Sequence, residues 1–210
     1  MSAAARADVV PETVPLDGRA LEIVRPRDPE ALLDEEAFDH EEFLPYWAEL
    51  WPSALALARA LAGRALRGAR TVELGCGLGL PSIAAALAGA RVLATDWSPD
   101  AIAFTAENAR RNDAAVQTAI VDWQAPAALL ERAPFDLVIA SDVLYERRNG
   151  PLLLDLLPRL GDEVWIADPG RRPADAFLEA ARADWQLTSR PDRAHPSVRL
   201  HRLRRRRPGA

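Results

Sequence analysis

The stretch "VELGCGLGLPS" carries glycines at 75, 77 and 79 behind Glu73, and two later stretches each set an acid before a tryptophan, Asp96 with Trp97 and Asp122 with Trp123. Closely spaced glycines let a main chain approach a ligand, and a helix starting just after them favours a carboxylate or another anion. An acid at the end of the next strand can accept hydrogen bonds from both hydroxyls of a ribose. A further acid can accept from an exocyclic amine while an aromatic face packs on the base, which makes Asp122 and Trp123 a candidate adenine slot. Each feature alone has a plainer explanation: a tight turn for the glycines, a helix cap for Asp96, a cap and turn in "DWQAP" for Asp122. Together, at three successive strand ends, they point to an adenosine-bearing ligand. The dinucleotide fingerprint G-x-G-x-x-G needs glycine at position 80, where Leu80 stands, so the pattern is not that of a nicotinamide cofactor.

Composition removes several other chemistries. All 26 basic residues are arginine, which excludes a Schiff-base lysine and a P-loop lysine. Three scattered histidines and one cysteine, Cys76, offer no metal-ligand spacing, so no metal is expected, and Cys76 reads as a small buried residue without chemistry. A net charge of −5 argues against nucleic acid as a partner. No apolar run approaches the roughly 18 to 20 residues needed to span a bilayer, and no secretory signal pattern opens the chain. No membrane partner and a cytoplasmic enzyme are the expectation. The closing "RRRRPGA" reads as a solvated tail or as a contact for an acidic partner or for the chain's own acidic N-terminal part.

The elements that would position these residues follow from periodicity. "TVELG", "RVLATD", "VQTAIVDW", "FDLVIASD" and "EVWIAD" are short β-branched runs, and helical stretches such as "PSIAAALAG", "SPDAIAFTAENARRN" and "GPLLLDLLPRL" separate them. Strand alternating with helix at this spacing implies βαβ units and a parallel sheet. "WQLTSR" and "SVRLHRL" then follow each other across a loop, as an antiparallel pair closing one edge would. The fold class expected is α/β: a Rossmann-like three-layer α/β/α sandwich whose seven-stranded sheet is mostly parallel, with an antiparallel C-terminal strand. Ahead of it, "VPLDGRALEIV" reads as a hairpin turning at Asp17 and Gly18, and "DPEALLDEEAFDHEEF" as a short helix. The expected organisation is a disordered stretch over 1–12, one domain over 13–203 divided into an extension and lid (13–69) and a core (70–203), and a basic tail over 204–210.

The sequence resembles the class I, seven-strand S-adenosylmethionine-dependent methyltransferases, and among them the protein N-lysine methyltransferase group. "VELGCGLGLPSIAAALAGARVLATD" is similar to that group's glycine loop, first helix and second strand, and "FDLVIASDVLYE" to its fourth strand with the D-x-x-Y signature, here Asp142 and Tyr145. "ADPGR", residues 167–171, is similar to a stretch after the fifth strand in bacterial-type methyltransferases of the electron-transfer flavoprotein β subunit. The resemblance implies S-adenosyl-L-methionine as cofactor, with Gly75, Gly77 and Gly79 along its methionine part, Asp96 at its ribose and Asp122 at its adenine. It also implies that Trp51 covers the cofactor and that Asp142 and Tyr145 face a methyl acceptor, most simply a protein lysine. The residues alone leave a cap role open for Asp142 and ordinary packing for Tyr145. With Glu73, Trp97, Trp123 and Ser141, the expected cofactor set is complete. A small-molecule N-methyltransferase and a non-catalytic cofactor-binding module are the competing readings.

"PYWAELWPS" places Trp47 and Trp51 four residues apart between Pro45 and Pro52. With a cofactor loop downstream, the segment reads as a lid across the site, Trp51 on the cofactor and Trp47 with Tyr46 on the acceptor side. A hydrophobic staple ahead of the next helix, for which Ser53 is a candidate cap, is the alternative for Trp47.

Overall fold

The computed structural model describes residues 8–16, 18–29 and 45–206. The expected helix in the acidic stretch falls almost wholly outside them, as does Asp17 of the hairpin turn. A hairpin of β1 (Val9–Leu16) and β2 (Arg19–Pro26) comes first. A 3-10 turn, Tyr46–Ala48, leads into α1 (Pro52–Ala62). Then follow β3 (Arg70–Leu74), α2 (Leu80–Leu87), β4 (Arg91–Asp96), α3 (Pro99–Arg111), β5 (Val116–Ile120) and the single turn α4 (Ala127–Leu130). The chain finishes with β6 (Leu137–Ser141), α5 (Asn149–Leu160), β7 (Glu163–Asp168), α6 (Arg172–Ala181), β8 (Trp185–Pro191) and β9 (Arg199–Arg205).

Seven strands form one sheet in the order β5-β4-β3-β6-β7-β9-β8, in which β9 alone runs against its neighbours. The central strands β3, β6 and β7 are buried almost throughout, as parallel strands covered by helices on both faces must be. Edge strand β5 is not, and Ile120 at its end is 60% exposed. One apolar core joins the hairpin, α1, α2 and α3 on one face of the sheet, and a second joins α5 and α6 on the other. From β3 the chain builds outward through β4 to β5, then crosses back to lay β6 on the other side of β3. That reversal opens a crevice at the carboxyl ends of β3, β4 and β6, where open α/β sheets bind ligands.

Local signals explain several boundaries. Ser98 caps α3 by accepting the Ala101 N–H at 3.3 Å, Pro99 supplies its first residue and Arg110 and Arg111 close it, each favourable to the helix dipole or its free amides. Three expectations are corrected. The hairpin begins at Val9, inside the stretch expected to be disordered, because Val9 and Val10 pair in register with Pro26 and Arg25 and Arg27 bonds Asp8 at 2.8 Å. Arg204 and Arg205 belong to β9 rather than to a tail: Arg204 pairs with Glu163 in the sheet, and Arg205 lies over the Trp185 ring. Helix α1 starts from Trp51 as its cap, so Ser53 is fully buried inside the first turn instead of capping it. Among the described residues no helix is long and apolar enough to cross a membrane.

Candidate active site

A cleft of about 490 Å³ occupies the crevice. Its floor begins with the glycine loop between β3 and α2. Gly77 and Gly79 both take left-handed backbone angles, φ 53° and 82°. A side chain at Gly79 would put its Cβ 2.7 Å from Thr105 Cγ2 of α3, and one at Gly77 would lie 3.1 Å from the Trp47 carbonyl oxygen. Helix α3 and the Tyr46–Ala48 turn therefore press on this loop from two sides, and glycine is required there by the protein's own packing. The Thr105 hydroxyl donates to the Gly77 carbonyl at 2.9 Å and fixes the loop from below.

Asp96, at the end of β4, is buried at the edge of the cleft. Its Oδ2 accepts the Gly77 N–H and its Oδ1 the Ser98 N–H, both at 3.0 Å. Burial raises its pKa and these N–H donors draw it back down. The Trp97 N–H draws on the same carboxyl, and a carboxylate has about four accepting positions, so the carboxyl can still take a ligand hydroxyl. Cys76 lies beside it, buried, and burial holds its thiol well above the usual range and therefore protonated.

Glu73 does not reach the cleft, contrary to the expectation that it helps bind the cofactor. It is fully buried under the loop, where its Oε2 accepts both the N–H and the hydroxyl of Ser82, at 2.9 and 2.5 Å. Burial pushes its pKa up to about 8, so the carboxyl is neutral at pH 7 and ties β3 to α2. Gly75, Trp97, Trp123 and Ser141 line the cleft, as does Asp122. Asp122 stands two residues beyond β5 rather than at its end, is exposed, and accepts the Gln124 N–H at 2.8 Å. The turn expected for "DWQAP" and the cleft-facing position thus coexist in one residue.

The far end of the cleft is built by β6, β7 and the segment ahead of α1. Asp142 follows β6 in a left-handed conformation, φ 56°, that non-glycine residues adopt at a cost of about 1 to 2 kcal/mol. Its N–H is held by the Ala167 carbonyl at 3.0 Å, and its Oδ1 accepts from Arg171 at 3.3 Å. Burial raises the Asp142 pKa against the opposing pull of Ser53 and Arg171. Tyr145 is half-buried, and burial pushes its hydroxyl up to about 12, leaving it a neutral donor. Its ring lies 5.2 Å from that of Tyr46, which in turn lies 6.4 Å from Trp51. Trp51 donates its indole N–H to the Tyr46 carbonyl at 2.7 Å, and the Arg171 guanidinium sits over its ring at 5.7 Å.

The structure therefore brings every expected site residue except Glu73 to one cleft. It separates the two tryptophans by a different division from the one expected: Trp47 packs on Phe104 at 5.3 Å, against the glycine-loop side, while Trp51 stands beside Asp142 and Arg171. Arg171 was not among the expected site residues. The signal for it lies in "DPGR", where an acid ends β7 as Asp96 ends β4 and a glycine precedes the arginine.

Fold and cleft together define a seven-strand α/β domain with an adenosine-type pocket at the sheet's reversal point and a second, aromatic-framed compartment beside it. A model of the lysine methyltransferase family matches residues 46–172, more than half of the chain, and the chain belongs to that family. It is 38% identical over 135 residues to the electron transfer flavoprotein beta subunit lysine methyltransferase of Xenopus laevis, covering 60% of this chain and 53% of that one. It is 36% identical to the protein N-lysine methyltransferase METTL21A of Danio rerio, covering 56% of this chain and 57% of that one. The chain thus spans about half the length of these curated relatives. The tRNA (uracil-54, C5)-methyltransferase of Pyrococcus abyssi, solved with S-adenosyl-L-homocysteine, superposes with a TM-score of 0.57 at 14% identity, over 93% of this chain and 44% of that one. That likeness establishes the fold. The residues present fit an adenosine-bearing sulfonium cofactor: the cleft volume lies within the ~300–1,000 Å³ of small-molecule sites, and the Asp96 carboxyl lines it as a hydrogen-bond acceptor for a ribose hydroxyl.

Proposed function

We propose that this protein is an S-adenosylmethionine-dependent methyltransferase acting on the side-chain nitrogen of a protein lysine in the cytoplasm. The observation that carries the reading is the pairing, within one cleft, of a buried carboxylate beside the glycine loop, Asp96, and an aromatic-framed carboxylate, Asp142. Membership of the lysine methyltransferase family and the names of the relatives support the class and the lysine acceptor. A lone cysteine, buried and unpaired, supports a reducing compartment.

In this reading the glycine loop holds the amino-acid portion of the cofactor and Asp96 its ribose. Asp122, Trp97 and Trp123 surround the base, and Ser141 lines the middle of the cleft. Trp51 covers the place where cofactor and acceptor meet, and the segment from Tyr46 to Trp51 acts as the cover of the site. When bound, S-adenosylmethionine supplies an electrophilic methyl group on a sulfonium. Asp142 accepts a hydrogen bond from the acceptor amine and aims its lone pair, an alignment that can lower a barrier by roughly 7 to 11 kcal/mol in favourable cases. A lysine with pKa near 10.4 must first lose its proton to water, which costs about 4 to 5 kcal/mol at pH 7. Tyr46, Trp51 and Tyr145 shield the nitrogen from water, which disfavours the ammonium and reduces that cost.

The test uses donor labelled in its methyl group, with purified electron transfer flavoprotein β subunit and, separately, with a lysate lacking the enzyme's own gene. Label recovered as methyllysine in a protein band is the expected result. Label confined to the small-molecule fraction rejects the lysine reading in favour of a metabolite N-methyltransferase. The 210 residues contain no lysine, so none of them can contribute a self-labelled lysine.

A further inference from the structure

Six buried side-chain atoms lack a hydrogen-bond partner among the described residues, and four of them meet at the Asp142 end of the cleft: Ser53 Oγ, Asp142 Oδ2, Asp168 Oδ2 and Arg171 Nε. Buried polar atoms are nearly always paired, so such a concentration marks a place built around something other than stability. Arg171 is its centre. Asp168, at the end of β7, accepts the Gly170 N–H at 2.7 Å and the Arg171 N–H at 2.9 Å through Oδ1. This grip on the main chain lets the Arg171 guanidinium lie over Trp51 and touch only one oxygen of Asp142. The other oxygen is buried, and Ser53 draws on the same carboxyl.

We propose that Arg171, anchored by Asp168, is the positioning residue of the acceptor compartment: it fixes Asp142 through Oδ1, the oxygen that also keeps an accepting position for the incoming amine, and offsets the Asp142 charge so that the amine binds neutral. The proposal rests on the methyltransferase reading given above. A bare carboxylate beside an amine stabilises the ammonium form and raises the amine pKa by about 1 to 3 units. An ammonium has no lone pair with which to attack a methyl group. A guanidinium on the carboxylate cancels most of that field while a hydrogen-bond acceptor remains. Arg171 suits the task because it does not lose its own proton in a protein.

The other charged and titratable groups around Asp142 leave this balance in place. Asp168 stands behind Arg171 from β7, and burial raises its pKa. Glu146 and Arg148, from the segment after β6, pair with each other at 2.5 Å and largely cancel. Tyr145 from that segment stays neutral, with its hydroxyl near 12. Tyr46 and Glu49 face the cleft from the segment ahead of α1, and Asp96 faces it from the loop side, already holding two N–H groups.

The test titrates the Asp142 carboxyl by carbon-13 NMR, its signal identified by its loss in Asp142→Asn. Arg171→Gln is expected to raise the midpoint by about one unit, and Arg171→Lys to restore most of it. With electron transfer flavoprotein β subunit as acceptor, the pH–rate profile of Arg171→Gln moves to higher pH by a similar amount. An approximately tenfold loss near pH 7.5 then shrinks by pH 9.5, while S-adenosylhomocysteine affinity is unchanged. A merely structural role would lower the rate equally at every pH, and that result overturns the proposal. Arg171→Met, which also removes the guanidinium charge, gives a shift in the same direction and serves if Arg171→Gln does not fold. An Asp142 midpoint unmoved in both variants overturns the proposal whatever the acceptor. Wild-type protein that binds no S-adenosylhomocysteine overturns the methyltransferase reading instead.

Discussion

The two ends of the cleft are built on opposite plans. At the glycine-loop end the polar groups that face the ligand are held by the protein: Asp96 binds two N–H groups, Thr105 binds the Gly77 carbonyl, and α3 presses so closely that a methyl group would not fit at Gly79. The one unpaired oxygen there, Glu73 Oε1, lies beneath the loop on a carboxyl that is neutral at pH 7. At the Asp142 end a strained backbone, three unpaired buried side-chain atoms on charged residues and a half-exposed aromatic frame stand together. One end is finished before any ligand arrives, as suits a ligand that never changes. The other is completed by what it binds.

The sharpest way to break that contrast is a pair of substitutions. Asp142→Ala should lower turnover by on the order of 10²-fold through lost alignment while S-adenosylhomocysteine affinity stays within about twofold. Asp96→Ala should weaken that affinity by roughly 10- to 100-fold, since each hydrogen bond to a charged group contributes about 1.5 to 3 kcal/mol. Calorimetric titration beside a turnover assay reads both, and equal losses of affinity in the two variants would erase the division of labour.

A smaller effect compares the crowding of the two ends. Gly79 and Gly170 share nearly the same φ, 82° and 84°, but an added Cβ meets Thr105 at the first and nothing within 4 Å at the second. Gly170→Ala should destabilise by about 1 to 2 kcal/mol from backbone strain alone, and Gly79→Ala by a further ~1 to 3 kcal/mol from overpacking. Urea melts decide it, and identical midpoints would mean that the loop end is not tightly packed. Thr105→Ala should recover part of the Gly79→Ala loss and none of the Gly170→Ala loss.

The mildest effect concerns the carboxyl beneath the loop. The folded-state pKa of Glu73, about 8, lies above its ordinary 4.5, so the folded protein binds the proton more tightly. Stability from this group is full below pH 4.5 and is lost as pH rises through about 8. Glu73→Gln, which keeps the shape of the neutral carboxyl, should be close to neutral at pH 5 and flatten the decline between pH 5 and pH 8.5. An unchanged decline in the variant would show that Glu73 is charged in the folded protein.

The loop end was the more legible of the two in the sequence, for the same reason that it is finished. Its glycines stand at alternate positions of one short loop, and Asp96 follows one helix later on the neighbouring strand, so spacing alone brings them together. The mostly parallel seven-stranded sheet, its antiparallel C-terminal strand and the common cleft were readable from the alternation of strand and helix, whereas the strand order was not. The Asp142–Arg171 contact was not, because it joins residues 29 apart through the adjacency of β6 and β7 and a glycine turn whose direction no spacing encodes. The division between Trp47 and Trp51 depends on how one 3-10 turn points its side chains, and Glu73 was misplaced because successive strand residues face opposite sides of the sheet. Val9 and Val10 are strand formers only once Pro26 and Arg25 lie opposite them.

Asn108 of α3 draws together two regions that otherwise share no strand. Its amide accepts the Val24 N–H at 2.8 Å and donates to the Val24 carbonyl at 3.1 Å and to the Leu78 carbonyl at 3.0 Å. Asn112, one turn later, repeats the grip on Glu22 at 2.9 and 2.8 Å. These two side chains tie the hairpin to the glycine loop, so a ligand that holds the loop closed is expected to slow solvent exchange of the Val24 amide as well, which amide hydrogen exchange with and without ligand would read.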